Sequence, residues 1–187
     1  MPLTTYTSGE VLTASSLNAN FSFAAANGMV WVGGATPSAA ATVTVDNVFT
    51  STYTHYLITF NFTGGTTEDL RLQFRYGSTT QAASYYSAMN TADYGGTAGV
   101  VSINNGAYIP LSLDMLKITG QLFVSNVGVS STGAMITGQI MNSQDARCSS
   151  GGALVNSTQT YTGFIFTNSA AGSIFTGKVN VYGLVNA

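Results

Sequence analysis

The run His55-Tyr56-Leu57-Ile58-Thr59-Phe60-Asn61-Phe62 decides the fold. Tyr56, Ile58, Phe60 and Phe62 fall at alternate positions, and neighbouring side chains of an extended chain point to opposite sides, so these four share one apolar face of a strand. Gly64-Gly65-Thr66-Thr67 then supplies turn residues. Beyond it Leu70, Leu72, Phe74 and Tyr76 alternate with Asp69, Arg71, Gln73 and Arg75. The two runs are expected to pair as a β-hairpin with one apolar side.

Upstream, Met29-Val30-Trp31-Val32-Gly33-Gly34 is a short apolar strand candidate closed by two glycines, and the small, polar run to Ala41 is a connector. Thr42-Val43-Thr44-Val45 alternates again. Downstream, strands are expected at Lys117 to Asn126, where Ile118, Leu122 and Val124 share a parity, at Ala134 to Met141, at Tyr161 to Thr167 and at Lys178 to Leu184. Gly77 to Asp114 has no clear period, although Tyr85-Tyr86 suits a strand start or a sheet edge and Gly95-Gly96 marks a bend. Asn142 to Gly152 is expected to be an exposed polar loop. About eight strands without a helical pattern between them predict a mainly β fold, an antiparallel β-sandwich of the jelly-roll kind, with an up-and-down barrel as the alternative.

The N-terminal stretch differs. Thr13 suits a helix N-cap, because its hydroxyl can accept a first-turn N–H, and Gly28 suits a helix end. Ala14, Leu17, Phe21 and Ala24 recur at steps of three, four and three on one seam, with Ser15, Ser16, Ser22 and Asn27 turned away. So short a helix is marginal alone, and the sequence offers it no helical partner. It either lies over the core of the following domain or packs against its own copies or a host surface. Residues 1–28 are therefore expected to form an attachment segment, and residues 29–187 a β domain.

Only 6% of the 187 residues are charged, so the surface is built from Ser, Thr, Asn, Gln and Gly, with little repulsion between copies. The net charge is −2, and five scattered cations cannot neutralise a run of phosphates, which argues against nucleic acid and against an anionic membrane. Cys148 is the single cysteine, so no intramolecular disulfide forms. The first residues lack the charged and apolar regions of a secretory signal, and Val11 to Val45, though uncharged, is too interrupted by polar residues for a membrane span. A soluble protein that folds in the cytosol is expected.

Gly9-x-Val11-Leu12-Thr13-Ala14-x-x-Leu17-Asn18-x-x-Phe21 resembles the N-terminal motif that opens many tailed-bacteriophage fibre and decoration proteins. The match spans about a tenth of the chain. Leu70-Arg71-Leu72-Gln73-Phe74-Arg75, Tyr85-Tyr86 and the ending Gly177-Lys178-Val179-x-Val181-Tyr182-Gly183-Leu184 are similar, less specifically, to small phage head-fibre, knob and tail-appendage domains. The resemblance implies a non-enzymatic virion protein, a homotrimeric head decoration, knob or short fibre, attached through Leu12, Ala14, Leu17, Phe21 and Ala24 to a capsid or tail-adaptor protein. The chain is shorter than fuller fibre proteins, and no separate receptor-binding tip is expected. Val179 and Val181 suit a closing strand, and Gly183 a close approach of two backbones.

No residue cluster points to catalysis, a cofactor or a metal. His55 is the single histidine and reads as a polar strand-edge residue, and Cys148 beside Arg147 reads as a free surface or inter-subunit thiol. Glu68 and Asp69 point to opposite sides of a strand, nothing fixes Asp93 near them, and Asp46, Asp114 and Asp145 are isolated. Tyr85, Tyr86, Tyr94 and Tyr108, beside Asn90, Asn104 and Asn105, are candidate contacts for a host-surface glycan, in the manner of a carbohydrate-binding adhesin. The plainer role for these tyrosines is to cap the core or fill subunit interfaces.

Overall fold

The computed structural model describes residues 5, 7–9, 13–18, 28–64, 69–112, 116–128, 133–143, 146–169 and 175–184. Thirteen strands lie among them: β1 Met29–Ala35, β2 Val43–Val45, β3 His55–Gly64, β4 Leu70–Tyr76, β5 Thr79–Thr80, β6 Tyr85–Ala92, β7 Ala98–Gly106, β8 Ile109–Ser112, β9 Lys117–Ser125, β10 Ala134–Asn142, β11 Arg147–Val155, β12 Gly163–Asn168 and β13 Phe175–Leu184. Every pairing is antiparallel. One sheet has the order β1-β13-β3-β9-β10-β11-β6-β7, and the other β2-β12-β4-β5, with β8 also on β4. The fold is mainly β.

The alternation seen in sequence is the alternation of burial. Tyr56, Ile58, Phe60 and Phe62 of β3, Leu70, Leu72 and Phe74 of β4, and Ile118, Leu122 and Val124 of β9 are all buried in one core. That core lies between the two sheets. The Phe60 and Phe62 rings of the larger sheet lie 5.1 and 5.3 Å from the Phe166 ring of the smaller one, the first tilted and the second edge-on, so that neither is a face-to-face sandwich. Phe49, from the connection after β2, closes one end of the core, 4.9 Å from Tyr56 and 5.7 Å from Phe164.

Several expectations need correction. β3 and β4 do not form a hairpin: β3 pairs with β13 and β9, whereas β4 pairs with β12, β5 and β8 in the other sheet. Both strands turn an apolar side inward, but they do so from opposite layers. Thirteen strands rather than about eight lie among the described residues, because the stretch 77–114 holds β5 to β8 and β11 is a further one. The polar stretch from Asn142 to Gly152 is largely β11, paired on both sides by β10 and β6. Gly183 packs against a side chain rather than a backbone, since a Cβ there would lie 2.5 Å from the Tyr53 ring.

Of the N-terminal segment, residues 14–18 form a helical turn. The Thr13 hydroxyl accepts the Ser16 N–H at 3.3 Å, and the Leu17 N–H reaches the Thr13 carbonyl at 3.0 Å, so the expected cap is in place. Leu12, Phe21 and Ala24 lie outside the described residues. No helix among the described residues is long and apolar enough to cross a membrane.

Candidate functional site

Pairing register, rather than nearness in sequence, builds the outer face of the eight-stranded sheet. Side chains that do not enter the core project from it, and residues opposite one another on neighbouring strands form rows about 4.8 Å apart across the strands. One row runs from Trp31 through Tyr182 and Leu57 to Phe123. Trp31 is 62% and Phe123 48% exposed. Two residues further along the strands, about 7 Å away, a second row runs through Asn180, Thr59, Gln121, Gln139, Ser150 and Asn90. Neither row contains a charged side chain.

The side-chain amides of this row are not engaged with other described residues. Gln73 donates to the carbonyls of Gln81 and Ala107, and Gln81 to that of Ala83, so both satisfy backbone groups. Gln121 and Gln139 are exposed, and their side-chain amides hold no hydrogen bond to another described residue. Two shallow depressions meet at Thr119 on this face. One, of about 440 Å³, is lined by Thr59, Asn61, Lys178 and Asn180, and the other, of about 370 Å³, by Gln121, Gln139, Met141 and Cys148.

The four tyrosines singled out in the sequence do not form one surface. Tyr85 faces the core and is fully buried, its hydroxyl accepting the Phe74 N–H at 2.7 Å and donating to the Gln81 carbonyl at 3.1 Å. It is therefore not a ligand contact. Burial, which disfavours the phenolate, holds its pKa well above the ordinary tyrosine value. Tyr86 points outward opposite Leu154, Tyr94 stands 83% exposed in the β6–β7 turn, and Tyr108 lies under the Arg71 guanidinium at 4.1 Å.

The described acidic groups hold structure together. Asp46 binds the Arg75 guanidinium at 2.8 and 3.3 Å, Asp69 faces Arg71 at 3.9 Å, and Asp93 accepts the Thr97 N–H to close the β6–β7 turn. His55 is exposed, its ring within 2.8 Å of the Thr54 hydroxyl. Cys148 lies on the outer face of β11, paired with Met141 and Ala92. His55 belongs to the row of Ser125, Met135 and Leu154, six residues along β11 from Cys148, so the two do not meet. No group of three metal-ligating side chains occurs among the described residues. Of the expected attachment residues, Ala14 and Leu17 are both exposed, Leu17 by 39%.

No protein-family model matches the sequence, and no curated protein matches it. Among solved structures, the chain is similar to mutants of an alginate lyase in complex with an alginate tetrasaccharide (TM-score 0.31, 10% identity, 82% of this chain and 78% of that chain) and with an alginate trisaccharide (TM-score 0.25, 9% identity, 81% and 80%). Likenesses this remote carry no functional weight.

Proposed function

We propose that the chain is a non-enzymatic structural protein of a tailed-bacteriophage particle, a homotrimeric head decoration, knob or short fibre. In this reading residues 1–28 join the copies and dock on another virion protein, and residues 29–187 project as a β-sandwich wound as a jelly roll. The winding is supported by nested pairings: β1 with β13, β2 with β12, β3 with β9 and β4 with β8, the members of successive pairs alternating between the two sheets.

The observation that carries the attachment reading is the helical turn at 14–18. Its cap is formed, yet Ala14 and Leu17 stay exposed, and among the described residues before Val43 only the strand residues Val32 and Ala35 pack against the core. A helix whose apolar seam served the β core would bury that seam within one chain. Around a three-fold axis, copies of Leu17 and Phe21 can cover one another, each burial contributing roughly 1.5 to 3 kcal/mol. A seam this short cannot hold a trimer alone, so contacts between β domains share the task.

Antibody raised against residues 29–187 and imaged on purified particles tests this reading. Labelling at one repeated position, on head or tail, is the expected result. Particles that neither bind the antibody nor contain the chain by mass spectrometry would overturn it.

A further inference from the structure

We propose that the outer face of the eight-stranded sheet binds an uncharged glycan, laid across the strands between the Trp31–Tyr182–Leu57–Phe123 row and the Asn180–Thr59–Gln121–Gln139 row. This goes beyond the attachment reading and is independent of it. Particle docking can hold while the face binds no sugar, and the reverse.

A pyranose has two kinds of surface, C–H faces that pack on aromatic rings and hydroxyls that both donate and accept. The first row supplies rings and the second supplies amides and hydroxyls, groups that also donate and accept. Strand alternation alone explains polar residues facing water. It does not explain a tryptophan left 62% exposed one row away from amides that bond to nothing in the described chain.

Charge sets the ligand class. An acidic polysaccharide or a nucleic acid would call for arginine or lysine along the rows, and neither row has any. Lys178 stands one row beyond Asn180, on the side of the depression away from the aromatic row, and His55 one row beyond Leu57, so neither lies between the two rows. The spacing also suits an extended chain. From Asn180 to Gln139 three strand-to-strand steps cover roughly 14 Å, each step comparable to the length of one sugar ring. A second copy of the protein fits the face less well, because it would have to bury and satisfy the exposed amides of Gln121 and Gln139.

Trp31 is the single tryptophan, so intrinsic emission reports on this face. The full chain would be titrated with the hexaoses of the cello-, malto-, xylo-, manno- and chito- series, with an acidic hexauronate alongside. The expected result is a saturable blue shift with at least one neutral hexaose. Gln121→Ala/Gln139→Ala should weaken that binding about tenfold or more, two lost hydrogen bonds being enough for such a change, while Tyr94→Ala leaves it unchanged. A thermal melt checks the double variant's fold, and Phe123→Ala on the aromatic row is the second variant should the melt be lost. The proposal is overturned if no neutral hexaose shifts the emission, if the hexauronate binds more tightly than every neutral sugar, or if the folded amide variant binds like the parent chain. It is equally overturned if Trp31 is shielded from acrylamide until dilution separates the copies, which would make the face a subunit interface.

Discussion

Replacing Phe166 by alanine removes the ring through which the two sheets meet. Phe166 has no exposed surface, and its ring lies 5.1, 5.3 and 5.4 Å from those of Phe60, Phe62 and Phe164. Loss of a buried phenylalanine side chain costs about 3–5 kcal/mol, the transfer term plus the cavity left behind. Neighbouring rings packed from both layers cannot collapse into the space without moving a strand, so the upper half of that range applies. A domain of this size has a total stability of about 5–15 kcal/mol, and the variant should fold but with much of its margin gone. Urea unfolding followed by far-ultraviolet circular dichroism measures this. With a slope of about 2 kcal/mol/M, the midpoint should fall by about 2 M. Phe166→Leu, which keeps most of the volume, should lose less than half as much. A Phe166→Ala midpoint no lower than that of an outer-face change such as Thr59→Ala would refute a shared core at this point.

Two further outcomes follow from contacts inside the sheets. A Cβ at position 120 would lie 2.5 and 2.9 Å from atoms of the Phe60 ring, so Gly120→Val should destabilise the domain by about 1–3 kcal/mol, and adding Phe60→Leu should recover part of the loss in the same urea assay. The unfolded chain releases the Tyr85 proton near pH 10, whereas the folded chain retains it to higher pH. The stability this group contributes is therefore fully present below pH 10 and lost as pH rises beyond it. Tyr85→Phe should flatten that alkaline loss in melts taken between pH 8 and 11, while costing about 1–3 kcal/mol at neutral pH because the Phe74 N–H loses its acceptor.

The strands that announced themselves are those whose inner positions are bulky. Tyr56, Ile58, Phe60 and Phe62 mark β3 without help from anything distant, and Leu70, Leu72 and Phe74 mark β4. Alternation says which side of a strand is buried but not which sheet it joins, so β3 and β4 passed for a hairpin while the chain crosses from one layer to the other between them. β11 escaped for the opposite reason. Its inner positions are Ser149, Gly151 and Ala153 before Val155, too small to give a hydrophobic period, and at Gly151 a Cβ would meet the Ala88 carbonyl. The capped turn at Thr13 was legible because a cap is a local device. The amide row was not, because Asn180, Thr59, Gln121 and Gln139 come from four strands and become neighbours only through register.

Light scattering on the full chain and on Leu17→Asp/Phe21→Asp tests most directly the claim that the N-terminal segment joins copies without being needed for the β fold. If its apolar seam is covered by its own copies, as proposed, the parent chain should scatter at micromolar concentration as three times 19.4 kDa. Two charges per chain on a three-fold seam cannot be desolvated, so the variant should scatter as a smaller species, down to 19.4 kDa, with its far-ultraviolet β signature and cooperative melt intact. A parent chain that is already a 19.4 kDa monomer, or a variant that loses its β fold outright, would contradict the account.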